Sequence, residues 1–192
     1  MKKNIFKVLI AISLSSALLL NGCSEEKAVT QQTKVTRIQG KTMGTFYGVI
    51  VPGGYEKGEA ELKKLCEDTF NDISKVISTF DPKAELALFN EHKSIEPYPI
   101  SKYLAQIIQE CDHQSRRIDG AMDISVGPLV NLWGFGKDKA KHESPSDEQI
   151  AEAKKLVGLN SYEVRNTSNG SLLIKKDPNV RLDLSTVGEG LG

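Results

Sequence analysis

An α+β fold, with antiparallel or mixed sheets packed by amphipathic helices, is predicted by the order of residue patterns along the chain. Three observations carry that expectation. Residues 42–51, TMGTFYGVIV, are rich in β-branched and aromatic side chains and close on Pro-Gly-Gly, which reads as a strand and a turn. Two later stretches repeat apolar residues every three or four positions, the period of a helix with one buried face. After them, SYEVRNTSNGSLLIKK has the alternation of a β-hairpin. Strands before helices and hairpins after them suit an α+β arrangement better than a doubly wound sheet.

The elements follow in order. Leu62, Leu65, Cys66, Thr69, Phe70, Ile73, Val76 and Ile77 put one apolar face on a helix from about Glu59 to Ser78, which Asp81-Pro82 then ends. Leu104, Ile107, Ile108, Cys111 and Ile118 do the same for a second helix from about Ser101, its N-cap, to Ile118, closed by Asp119-Gly120. Between Ala121 and Gly136, AMDISVGPLVNLWGFG is apolar, punctuated by glycine and contains the single tryptophan; it has neither helical nor strand periodicity. Ser146 and Gln149 make a capping-box pair for a third helix from about Asp147 to Val157, with Gly158 in the position of a C′ glycine. The hairpin is expected to turn at Asn169-Gly170, and residues 180–184 to form a further strand. There are no internal repeats.

Composition limits the function classes. At 192 residues, with 39% hydrophobic and 26% charged side chains, the chain has the make-up of a globular protein with room for one domain, or one domain and a fragment. The first 22 residues differ from the rest: Lys2, Lys3 and Lys7 precede an apolar run from Val8 to Leu20, and Asn21-Gly22-Cys23 ends it. This is a secretory signal, too short for an ordinary spanning helix. Its end resembles a bacterial lipobox in which Cys23 is lipidated and anchors the protein to a membrane without a spanning segment; a plain signal with a chance cysteine is the other reading. Residues 23–36 then form a polar tether, and the folded body is expected from Arg37 to Gly192. Residues 1–22 hold three lysines and no acid, so the 25 basic and 25 acidic residues of the whole chain become 22 and 25 without them, a net charge of −3. No basic stripe with interleaved aromatics is present, which argues against nucleic acid as a partner. Cys66 and Cys111 each fall on an apolar helix face, so two buried thiols are expected, with a disulfide the alternative in an exported chain.

Three stretches hold polar groups where a plain core would not place them: KTMGT (41–45), DGAMDISVGP (119–128) and DLSTVGEG (183–190). Asp123 lies between Met122 and Ile124, and a carboxylate in such a run must be hydrogen-bonded or bind something; capping a turn that begins at Ile124 would suffice. Asp183 alternates with two leucines, and Ser185, Thr186 and Glu189 cluster around Gly188 and Gly190. Glycines at a strand-to-helix transition let backbone N–H groups approach a phosphate, and oxygen donors beside them suit Mg²⁺. The stretch matches neither GxxxxGK[ST] nor GxGxxG. His92, His113 and His142 are isolated and read as surface residues, and no GxSxG elbow is present.

These same strings, KTMGT, DGAMDISVGPLVNLWGFG and LDLSTVGEG, together with the lipoprotein leader, closely resemble the ApbE family, the FAD:protein FMN transferases, over the chain from Arg37 on. The resemblance implies Mg²⁺-dependent cleavage of FAD at its pyrophosphate, transfer of FMN to a threonine or serine hydroxyl of an acceptor protein, and release of AMP. It implies that Met43 contacts FAD, that Ala121, Met122 and Asp123 line its flavin or adenosine part, that Asp183 and Glu189 hold other polar groups, and that Thr186 gives an oxygen to Mg²⁺. Phe80 aligns with an aromatic that touches the cofactor, where several relatives carry tyrosine, so the hydrogen bond of that hydroxyl would be missing. Acceptors of the family are typically subunits of membrane redox-driven ion pumps, flavinylated on the periplasmic side, which suits a lipid-anchored protein of the cell envelope at the inner membrane; Ser24 after the lipidated cysteine, in place of an inner-membrane Asp signal, points the other way. The family's remaining motifs would fall beyond Gly192. The chain is therefore expected to be an N-terminal portion with its catalytic residues and further Mg²⁺ ligands absent, and an FAD-binding lipoprotein without catalysis is the alternative reading.

Overall fold

The computed structural model describes residues 34–137 and 144–192. The signal peptide and Cys23 lie outside the described residues. The last residues assigned to the tether do not: strand β1 (Val35–Thr42) begins two positions ahead of Arg37, and the Thr36 hydroxyl accepts a hydrogen bond from the Tyr55 amide at 2.8 Å.

The single strand expected over 42–51 is a hairpin. β1 pairs antiparallel with β2 (Thr45–Pro52), from Val35↔Pro52 to Thr42↔Thr45. Met43 and Gly44 form the two-residue connection, with φ of 48° and 79°, the pair of positive values that matches the twist of the flanking strands. β1 is too polar in sequence to have stood out. One face of this ribbon lies on helix α1 (Glu59–Ile77), where the Tyr47 ring meets Phe70 edge-on at 4.9 Å. Helix α1 has nearly its expected span, but its buried face is narrower than its apolar pattern: Leu62, Ile73 and Ile77 are buried, whereas Leu65 and Thr69 are exposed.

Three elements were not foreseen or were read differently. A seven-residue helix, α2 (Glu85–Glu91), follows the Asp81-Pro82 break, and a three-residue strand, β3 (Tyr98–Ile100), precedes the next helix. Both are too short to show a period. Helix α3 (Lys102–Arg117) starts as expected, the Ser101 hydroxyl accepting from the Leu104 amide at 3.0 Å, and it leaves Ile118 exposed. The glycine-punctuated stretch holds one short helix, α4 (Gly127–Leu132), with proline in its first turn.

Helix α5 (Asp147–Lys154) has both bonds of the Ser146/Gln149 capping box. It ends three residues short of Val157, so Gly158, with φ 125°, is not its C′ residue. The second hairpin joins β4 (Tyr162–Thr167) to β5 (Gly170–Lys175). Thr167 pairs with Gly170, so the turn is Ser168-Asn169, one residue earlier than expected. The sheet order is β3-β5-β4, and every pairing among the described strands is antiparallel. The fold is α+β.

The expected strand over 180–184 does not pair in a sheet. Residues 180–184 run without regular structure into helix α6 (Ser185–Leu191). Val180, Leu182 and Leu184 fill the centre of one hydrophobic cluster with Ile73, Ile77, Leu86, Phe89, Leu104, Ile108, Ile124 and Leu173. The stretch is thereby buried like a central strand although it has no strand neighbour among the described residues.

Candidate functional site

The absent strand neighbour is replaced by a side chain. Asn90, on α2 and 1% exposed, donates from Nδ2 to the Leu182 carbonyl and accepts at Oδ1 from the Leu182 amide, both at 2.8 Å. An amide presents a donor and an acceptor side by side, as a β-ladder partner does. On the other side, the Asp183 amide donates to the Ile124 carbonyl at 2.7 Å. Chain segments 92 and 59 positions away thus fix the Leu182–Asp183 backbone.

Two glycines set how closely the segments meet. A Cβ on Gly127 would lie 2.6 Å from the Arg181 carbonyl oxygen, so SVGP and VRLD are in backbone contact there. A Cβ on Gly188 would lie 3.3 Å from Ile77 Cδ1 and 3.4 Å from Met43 Sδ. Gly188 therefore seats the Met43 turn and the end of α1 against α6. Two amides at the start of α6 are also used internally, Ser185 N–H by Asp183 Oδ1 at 2.8 Å and Val187 N–H by the Leu184 carbonyl at 3.0 Å.

The structure brings the three stretches together around residues 183–188. Met43 is 41% exposed beside Gly188. Its positive φ is uncommon for a side chain with a Cβ and is tolerated where the surroundings fix the turn. Thr186 and Glu189 are exposed on α6. Asp183 is 8% exposed; with Oδ1 engaged, its carboxylate borders a small cleft that Thr79, Asn131 and Arg181 also line. Phe80 follows Thr79 and is 60% exposed. Ala121 is exposed and Met122 half-buried, its carbonyl accepting a bond from the buried Ser115 hydroxyl.

Asp123 takes the local role. Its Oδ1 accepts from the Ser125 amide at 2.8 Å and the Ser125 hydroxyl at 2.6 Å, and Ser125 Oγ in turn accepts from the Gly158 amide at 2.6 Å. It caps the turn that starts at Ile124 and ties that turn to the end of the α5 segment. The open depression along α1, lined by Asp68, Asp72 and Asp81 among others, contains none of the residues expected at a site.

Charge around the cleft is organised by Glu91. Lys137 Nζ at 2.9 Å and Arg181 Nη2 at 3.0 Å share its Oε1, and these two bonds hold the carboxyl down at about 2. Sequence reading missed Asn90, Glu91, Gly127 and Arg181 as site-forming residues. One signal was there for Asn90: an amide in the short apolar run LALFN, where an unpartnered polar group would be costly.

Cys66 and Cys111 are free thiols, and burial pushes that of Cys111 up to about 11, the behaviour of an inert core thiol. For a metal, Thr186 offers one exposed hydroxyl and Glu189 one exposed carboxylate. Among the described residues no three His, Cys, Asp or Glu side chains converge, so these donors do not by themselves form a metal shell.

The ApbE family model matches residues 43–192. An FAD:protein FMN transferase of Escherichia coli K12 is 41% identical over 179 residues, an alignment covering 92% of this chain and 51% of that protein. The Haemophilus influenzae protein of the same name is 33% identical, with 94% and 51% covered. Among solved structures, the flavin transferase ApbE from Vibrio cholerae superposes with a TM-score of 0.72 at 30% identity, over 82% of this chain and 50% of that one. The Pseudomonas stutzeri flavinyl transferase ApbE, in its apo form, gives 0.69 at 28% identity, over 81% and 51%. The chain spans about half the length of the curated relatives it matches. With the family model covering most of its length and the relatives' fold shared by its own, this chain belongs to the ApbE family.

Proposed function

We propose that this chain supplies the FAD-binding side of an FAD:protein FMN transferase. The observation that carries the reading is the meeting of KTMGT, DGAMDIS and LDLSTVGEG around residues 183–188, through the Met43–Gly188 contact and the Asp183–Ile124 hydrogen bond. In the reaction, the pyrophosphate P–O bond of FAD breaks on the FMN side. The acceptor's Thr or Ser oxygen forms a phosphoester with FMN as its hydroxyl proton passes to water, and AMP leaves with the bridging oxygen.

Within that reaction the residues of this chain bind and orient. Met43, exposed on a fixed turn, and Phe80 offer apolar surface to the cofactor. Ala121, Met122 and Asp123 line its flavin or adenosine part. The Asp183 carboxylate, held by the Ser185 amide, accepts hydrogen bonds from the nucleotide, as does Glu189 from the same short helix. Mg²⁺, with Thr186 as one donor, supplies charge neutralisation of the phosphates when bound. The phenylalanine at position 80 contacts the cofactor without a hydroxyl hydrogen bond. Cys23 carries the lipid anchor, which places the protein on the periplasmic side of the cell envelope at the inner membrane, beside an acceptor subunit of a membrane redox-driven ion pump. No helix of the described residues is long and apolar enough to cross a membrane.

The test is to incubate the chain with FAD, Mg²⁺ and an acceptor domain. FAD should bind the chain; AMP release matched by flavin fluorescence on the acceptor in a denaturing gel would show that the chain also performs the transfer. FAD binding without AMP would restrict the role to cofactor binding, and absence of FAD binding would remove the reading.

A further inference from the structure

We infer that Asn90 is the positioning residue of the nucleotide-binding arm, residues 182–189: its side chain, rather than a sheet, sets where the Asp183 carboxylate and helix α6 stand. The inference rests in part on the flavin reading. Its structural half is independent of any ligand.

The arm has few other means of being placed. Among the described residues, 180–184 make no ladder with any strand, and α6 starts without a side-chain N-cap. Apolar burial of Leu182 and Leu184 pulls the segment inward but is non-directional and fixes neither its register nor its rotation. Direction comes from hydrogen bonds. Asn90 makes two, to both backbone groups of Leu182, and the Ile124 carbonyl makes the third. Asp183 is the next residue.

Asn90 is itself fixed from behind. Lys175 Nζ, 1% exposed at the residue level, donates to the Asn90 carbonyl at 3.1 Å and the His92 carbonyl at 2.8 Å, and lies 4.9 Å from the centre of the Phe89 ring. The chain of contacts Lys175, Asn90, Leu182, Asp183 thus runs from β5 through the end of α2 to the arm. Packing alone would accept leucine at position 90, a side chain of similar size; the two bonds to Leu182 require the amide.

The test compares the parent chain with Asn90→Leu and Asn90→Asp. In the ligand-free chain, the Leu182 and Asp183 amides of Asn90→Leu should exchange their hydrogens at least about tenfold faster, the scale of losing a net hydrogen bond or more, while Leu104 and Leu173 keep parental protection. Unchanged exchange at 182 and 183 overturns the inference.

Asn90→Asp judges it if the leucine variant does not fold. A protonated carboxyl offers the same donor and acceptor pair as the amide, whereas a carboxylate opposes the Leu182 carbonyl. Its FAD affinity should be about tenfold weaker than the parent's at pH 7.5 and return to within about threefold at pH 5. Equal affinity of the variant and parent at pH 7.5 also overturns the inference. Lys175, Glu91, Arg181, His92 and Asp183 surround the position in both proteins, so the parent measured at both pH values isolates the new carboxyl. Should the parent bind no FAD, the flavin reading fails, and exchange at Leu182 and Asp183 in the two variants still decides the role of Asn90.

Discussion

Burying the Lys175 ammonium costs hydration, and the carbonyls of Asn90 and His92, which the end of α2 leaves without helical partners, offset part of that cost. Desolvation, followed by the nearby Lys93 and Arg181 charges, brings its pKa down to about 8 from the usual 10.5. Between those two values the unfolded chain binds more protons than the folded one, so stability should rise with pH across that window. Below pH 8 the residue is charged in both states and the burial cost is present in full. Urea unfolding at pH 8 and pH 9.5 should show the parent gaining about 1–2 kcal/mol relative to Lys175→Met. A parent-to-variant difference that does not change with pH would mean that Lys175 is not desolvated as its geometry implies. Glu91 runs the opposite way. Held at about 2 by Lys137 and Arg181, it stabilises above its unfolded value near 4.5 and loses that contribution only as pH falls toward 2; since it is half-exposed, the contribution is small.

At the scale of elements, the site's geometry depends on close backbone approach as well as on the Asn90 bonds. Gly127, at the start of α4, meets the Arg181 carbonyl where a Cβ would be 2.6 Å away. Neither side is a flexible chain end, so Gly127→Ala must move the two segments apart. The expected loss is about 1–3 kcal/mol, or a melting temperature lower by about 2–12 °C for a chain of this size, with FAD affinity reduced because the Asp183 arm moves with Arg181. A melting temperature within 1 °C of the parent would show that the approach is looser. This dependence on approach also explains what could be read from the sequence. The two long helices, the Ser101 cap and the Ser146/Gln149 box are local, and residues within four positions define them. β1 is polar, α2 has seven residues and β3 three, so none shows a period. Residues 180–184 look like a strand because they alternate, but their neighbour is the Asn90 side chain on a helix, a pairing that no local pattern encodes. The site strings were recognisable as strings, and their juxtaposition was not. Asp123 could be read as a cofactor residue or as a turn cap, and the two bonds its Oδ1 accepts from Ser125 make the cap.

For the molecule as a whole, residues 43, 121–123 and 183–189 come from a hairpin turn, a loop after α3 and a short helix, and meet only in the folded chain. A ligand that touches all three binds the folded state alone, because in the unfolded chain those residues are separated by up to about 150 positions of flexible polymer. Binding then adds RT ln(1 + [L]/Kd) to stability, about 2.7 kcal/mol at a hundredfold excess over Kd. With about 2–4 °C per kcal/mol for a chain of this size, FAD at that excess should raise the melting temperature by about 5–10 °C. Riboflavin at the same concentration, which lacks both phosphates and the adenosine and so has the larger Kd, should raise it less. Gly188→Val separates the segments without deleting any side chain assigned to the ligand, since its methyl groups must displace Ile77 Cδ1 and Met43 Sδ. It should lower the melting temperature of the free chain and reduce the FAD-dependent rise by at least half. An FAD shift of parental size in Gly188→Val would mean that the Met43 turn and α6 do not act on one ligand, and the three stretches would then have to be read as separate structural motifs.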